Sequence, residues 1–235
     1  TLFRYGMFLR KRAQEIVELA DKTEADFAAG VGSVSGDIFI GSGETGAVRY
    51  LGRTLYKMRS IYPGVRFHLF SGNGEDVSDR LDKGLIDFAL FVGMTDLKKY
   101  DYLKLPYHHR WGLILRRDDP LASHEAVTPE MLMNVPILCS RQALIQNELS
   151  GWLGRPFEEL NPAGTYNLIY NAAIMVEEGL GCAVCIDKLL DTSGESAVCF
   201  RPFEPAIDAE LFIAWKKYQF FSAAAGKFLE MLQQE

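Results

Sequence analysis

Ser42, Glu44 and Thr45 stand among three glycines in GDIFIGSGETGAV (36–48), where an alternating strand gives way to a helix. Glycines that admit close backbone approach, hydroxyls and a helix start together offer hydrogen-bond donors to an anion. Gly41, Gly43 and Gly46 lack the spacing of a dinucleotide fingerprint, and no Lys-Ser or Lys-Thr follows to make a phosphate loop. A second polar turn, CSRQ (139–142), supplies Ser140, Arg141 and Gln142, with Arg141 suited to a bidentate grip on a carboxylate. Asn73 and Phe91, at strand ends, and Tyr166 and Asn167, at a helix start, are further candidate contacts. The expected ligand is a small organic anion bearing a carboxylate. Plainer readings stand beside these: Ser42 and Thr45 as helix caps, Arg141 as a solvated side chain. Glu44 would repel an anion, so it either points outward at the helix start or recognises an amine.

Other chemistries find less support. Cys182 and Cys185 form a CxxC, but no second CxxC follows and all four histidines lie far off in sequence. Both cysteines fall in GLGCAVCI, which reads as a buried strand where cysteine acts as a small hydrophobe. Cys139 sits where a peroxide-sensing thiol could, yet no partner follows in its loop. His108 and His109 are adjacent on an expected strand, so they point to opposite faces and cannot chelate together. His68 alternates with apolar neighbours and belongs on the solvent face. No serine has a GxSxG elbow, and no carboxylate pair stands out. No metal, cofactor or catalysis is expected.

The elements that carry these residues alternate. The start of the chain is helical, with Leu2, Gly6, Leu9, Ala13, Ile16, Ala20, Thr23 and Phe27 recurring at spacings of three and four and charges on the flanks. Such a seam predicts pairing with another helix, the alternative being an amphipathic helix lying on its own domain. AAGVGSVSG then reads as a linker. A strand at 38–41 leads to a helix with Val48, Leu51, Leu55, Met58 and Tyr62 on one face, closed by Tyr-Pro-Gly. VRFHLF, a helix carrying Val77, Leu81 and Leu85, and IDFALFV follow. Successive β-α-β units predict a parallel sheet, with ligands beyond the carboxyl ends of its strands. RWGLILRR, VPILCS, GLGCAVCI, AVCFRPF and ELFIAWKK read as further strands. Thr128 caps a helix start at Pro129, another helix precedes GLGCAVCI, and a last one closes the chain.

The chain's 235 residues suit one large or two small domains. A net charge of −6 and a pI near 5.3 argue against general nucleic-acid affinity. No apolar run approaches the ~20 residues that span a bilayer, and charges interrupt the first helix throughout. With four unevenly spaced cysteines, a cytoplasmic location without membrane contact is expected.

Five stretches, taken in order, resemble the LysR-type transcriptional regulators over essentially the whole chain. They are LFRYGMFLRKRAQEIVEL, GDIFIGSGETGAVRYLGRTLYKMRSIYPGVRFHL, GLIDFAL, DPLA, and VEEGLGCAVCI with the ELFIAWKK…AAAGKFLEML close. Asp119 stands where the family usually has histidine, and the proline that usually follows the GLGCAVCI strand is missing. The resemblance implies an α/β fold of the type 2 periplasmic-binding-protein-like kind, two Rossmann-like lobes with a cleft between them. Residues 1–30 would be a linker and dimerisation helix, 37–109 with 209–235 lobe I, and 110–208 lobe II, with crossings near His108–Trp111 and Ile207–Leu211. It further implies a small-molecule effector in the cleft, a homodimer or homotetramer, and operator DNA reached only through an N-terminal domain upstream of Thr1. An exported solute-binding protein or an enzyme on the same fold is the alternative.

Overall fold

A computed structural model describes residues 2–28, 34–93, 97–141, 148–156 and 159–234, with backbone alone for residues 2, 4, 25–28 and 148. Helix α1 (Leu2–Ala28) leads into β1 (Gly36–Ser42), α2 (Val48–Ile61), β2 (Val65–Ser71), α3 (Gly74–Asp82) and β3 (Phe88–Val92). These units alternate as their periods predict. Ile38 and Ile40 of β1 turn to one side, where Leu51, Leu55 and Met58 of α2 and Phe228 of the last helix cover them. Val77 and Leu81 of α3 cover the other side, against Phe91 and Phe212. β1 pairs in parallel with both β2 and β3, so all three end at the same edge.

The second half follows β4 (Tyr100–Arg116), a strand of 17 residues. Its first part pairs with β9 (Asp208–Lys216), its last part with β7 (Cys182–Ile186) and β8 (Val198–Pro202). β5 (Pro136–Ser140) lies in parallel between β7 and β6 (Asn161–Tyr166). Helices α4 (Glu148–Leu153), α5 (Ile169–Glu177) and α6 (Ala223–Gln233) complete the chain. The strand order is β2-β1-β3-β9-β4-β7-β5-β6, with β8 beside β4. The chain passes from one half to the other within β4 and returns at Ile207, whose carbonyl accepts from the Trp111 N–H at 2.9 Å.

Some expectations need adjustment. β6 did not stand out in the sequence, because Pro162 and Gly164 interrupt it. Both are tolerated there because β6 is an edge strand with mostly exposed residues. Pro129–Leu132 is a single 3₁₀ turn, and Thr128 makes no side-chain cap bond to it. Phe67 and Leu69 share one face of β2 but stay 44% and 47% exposed, because β2 is the opposite edge.

Helix α1 docks on the first half through charge. Lys22 meets Asp87 at 2.6 Å, Lys83 meets Glu15 at 2.7 Å, and Arg80 meets Glu18 at 3.6 Å. Its apolar seam is left uncovered, with Leu9 and Ile16 each 68% exposed. Leu2 and Phe27, the seam's first and last positions, have their side chains outside the described residues. Among the described residues no helix is long and apolar enough to cross a membrane.

Candidate functional site

Parallel strands from both halves end around one hollow. From the first half come Gly43 and Glu44 after β1, Gly72 to Gly74 between β2 and α3, and Leu90 to Val92 closing β3. From the second come Trp111 of β4, Ser140 ending β5, Tyr166 to Ile169 between β6 and α5, and Cys185, Ile186 and Leu189 around the end of β7. This is the position that α/β sheets reserve for ligands, because side chains and helix starts converge there. The space open to a water-sized sphere is about 70 Å³, on the order of five waters. Such room suits a small metabolite.

Of the expected contacts, Gly43, Asn73, Phe91, Ser140, Tyr166 and Asn167 line this hollow. Asn73 also caps α3, its side-chain oxygen accepting from the Asp76 N–H at 2.9 Å. The Tyr166 hydroxyl donates to the Val184 carbonyl. Asn167 accepts from the Leu168 N–H at 3.0 Å.

Three expected contacts lie elsewhere. Ser42 is buried beneath the turn, its hydroxyl donating to the Gly43 carbonyl at 2.6 Å. Arg141 is exposed and absent from the wall of the hollow. Thr45 is buried, its oxygen accepting from the Ala47 N–H at 3.1 Å and its hydroxyl meeting His109 Nε2 at 2.8 Å. Gln142 lies outside the described residues.

Thr45 is absorbed by a chain of hydrogen bonds between the halves. His109 Nδ1 sits 2.6 Å from Asp187 Oδ1, and a carboxylate only accepts, so Nδ1 carries the proton. In the neutral imidazole Nε2 then accepts a hydrogen bond from the Thr45 hydroxyl. Hydroxyl, imidazole and carboxylate in line is the order used for nucleophilic catalysis. Here the hydroxyl is buried and off the hollow, so the three residues tie β1, β4 and β7 together. His108, one residue earlier, is exposed, as opposite faces of a strand require. Thr45→Val leaves His109 Nε2 and the Ala47 N–H without partners. It is expected to cost about 2–4 kcal/mol in urea unfolding, with the slope unchanged.

Glu44 also crosses between the halves. Its Oε2 accepts from the Ile169 N–H at 2.5 Å, at the start of α5, where Leu168 supplies no side-chain cap. A carboxylate there meets the positive end of the helix. No local pattern in the sequence could reveal this pairing, since the partners are 125 residues apart.

All four cysteines are free and buried. Cys182 and Cys185 pack in separate clusters on the two faces of β7, so the CxxC cannot act as a pair. Cys139 lies within β5 rather than in a loop, and burial pushes its thiol up to about 12, as it does that of Cys182. Such thiols stay protonated and unreactive at neutral pH. Among the described residues no cluster of His, Cys, Asp or Glu could hold a metal ion.

A family model described as the LysR substrate binding domain matches residues 32–235. A curated Bacillus subtilis relative, named an uncharacterized HTH-type transcriptional regulator, YvbU, is 26% identical over 224 residues, covering 94% of this chain and 75% of its own. Among solved structures, HinK, a LysR family transcriptional regulator from Pseudomonas aeruginosa, matches with a TM-score of 0.69 at 22% identity, over 98% of this chain and 79% of its own. The regulatory domain of Synechocystis CcmR, solved in complex with 2-PG, matches with a TM-score of 0.67 at 19% identity, over 84% of this chain and 96% of its own. Identities this low carry the fold alone.

Proposed function

Because the chain belongs to the LysR substrate-binding domain family, we propose that it is the effector-sensing part of a transcriptional regulator, holding a small metabolite between its two halves. The observation that carries this reading is the shared hollow, walled by strand ends of both halves and bridged by Glu44. A ligand touching both halves favours one arrangement over another, and only such differential affinity transmits a signal. The 2-PG complex of CcmR, a protein of the same fold, supports a small-molecule ligand of some kind. The expectation of a carboxylate on the effector drew on the turn at Ser42, Gly43 and Thr45 and on Arg141; of these, Gly43 lines the hollow and Arg141 lies off it.

The uncovered seam of α1 supports pairing of two copies. The bare edge of β2, with Phe67 and Leu69, offers a second apolar face by which dimers would form a tetramer. Operator DNA would be reached through a helix-turn-helix segment of the whole regulator, in the cytoplasm. The HTH-type name of the B. subtilis relative, a quarter of which this chain leaves uncovered, supports that reading.

Gly43→Leu tests the site. A Cβ at Gly43 meets only the Gly72 carbonyl, at 3.8 Å, so the backbone accepts a branch point there, and the rest of a leucine takes up room on a wall of the hollow. The melting temperature should stay within about 2 °C of wild type. Affinity for any ligand found by screening should fall about tenfold or more. Undiminished affinity would place the ligand elsewhere and refute the site.

A further inference from the structure

We propose that Glu44 sets the ligand class of the hollow, and that the effector presents a cationic amine to its carboxylate. This rests on the hollow being the effector site. Among the described residues of the wall, Glu44 alone has a charged side chain. Among the residues whose side chains lie outside the description, Arg4 of α1 is the one lysine, arginine or histidine. Arg141, the cation next to the second half's strand ends, is exposed and off the wall. A carboxylate ligand would therefore meet a like charge and, apart from the partial positive charge of the helix starts, no cationic side chain. Two carboxylates in one such space cannot both stay ionised without cost. An ammonium group would meet an opposite charge and form a charge-assisted hydrogen bond.

Glu44 has the capacity for this bond. The Ile169 N–H occupies Oε2, and Oε1 has no partner among the described residues. The backbone bond also fixes the carboxylate in place before a ligand arrives. Leu90, Trp111, Ile186 and Leu189 make the rest of the wall largely apolar. The complementary molecule is a short apolar body with one amine end.

Capping α5 is the competing role for Glu44, and charge separates the two roles. Glu44→Gln keeps an oxygen to accept from the Ile169 N–H but removes the negative charge. The experiment titrates the whole chain with small aliphatic amines, alcohols and carboxylates in equal number, reading binding from the Trp111 indole resonance. Gly43→Leu identifies which hits occupy the hollow. Hits blocked by Gly43→Leu are expected among the amines, and Glu44→Gln should weaken them about tenfold or more. Gly43→Leu-sensitive hits among the carboxylates or alcohols, or amine affinity unchanged in Glu44→Gln, would overturn the proposal. Hits of no class responding to Gly43→Leu would overturn the effector-site reading itself.

Discussion

Gly181→Ala is expected to unfold the second half or leave it with a large stability deficit. Gly181 has φ +133°, outside the range that side-chain-bearing residues adopt, and a Cβ there would lie 2.2 Å from the Pro136 carbonyl oxygen. Backbone strain of this kind costs about 1–3 kcal/mol, and forced overpacking adds about 1–3 more. The obstacle is backbone, so no side-chain rotation relieves it. Gly181 immediately precedes β7, which pairs in parallel with β5 from Ile137 to Cys139. Displacing β7 would also move Ser140, Cys185 and Ile186, which end those two strands beside the hollow. Urea unfolding and ligand titration should therefore fail together in this variant. Wild-type stability in Gly181→Ala would mean that the β5–β7 junction is looser than described.

Asp87→Ala should be the other severe change, for an electrostatic reason. Asp87 is 3% exposed and accepts from the Phe39 N–H at 2.8 Å while pairing with Lys22 at 2.6 Å. Removing the carboxylate takes the 2.6 Å ion pair from a largely buried ammonium and leaves an amide without its acceptor. Breaking a buried pair in this way costs about 3–5 kcal/mol. At the ~2–4 °C per kcal/mol usual for a chain of this size, the melting temperature should fall by roughly 10 °C. Lys22 belongs to α1 and Asp87 to the turn before β3, so the helix should also loosen from the first half. Hydrogen exchange along α1 would register that as lost protection. Asp87→Asn, which keeps an acceptor for Phe39, should cost less. Equal losses in the two variants would show that the Phe39 hydrogen bond is irrelevant, and wild-type stability in Asp87→Asn would show that the charge is.

The sequence made the alternating elements legible because burial there follows period. Ile38 and Ile40 step by two, and Leu51, Leu55 and Met58 by three and four. The rule that ligands sit beyond parallel strand ends led to Gly43, Asn73, Phe91 and Ser140, and a helix start to Tyr166 and Asn167, all of which line the hollow. What stayed hidden depends on partners distant in sequence. Thr45 looks like a ligand contact until His109, 64 residues later, takes its hydroxyl. Glu44 looks misplaced until Ile169 approaches it. Trp111, Ile186 and Leu189 carried no signal, because apolar residues in strands suggest core until the opposing wall is in place. β6 failed for a local reason: Pro162 and Gly164 contradict strand propensity, and an edge position forgives both.

β4 gives the molecule a shared rail. One unbroken strand belongs to both halves, so neither can swing away without bending it. Its ladder with β9 slips between Lys104 and His108, around Pro106, just before the rail enters the second half. Irregular pairing of this sort bends and twists more readily than regular ladder. Torsion between the halves thus gathers in a few residues of the rail, beside the His109 tie. Relative motion becomes a wringing of one strand rather than the gape of a loose jaw, and whatever molecule fills the hollow has to work against that spring.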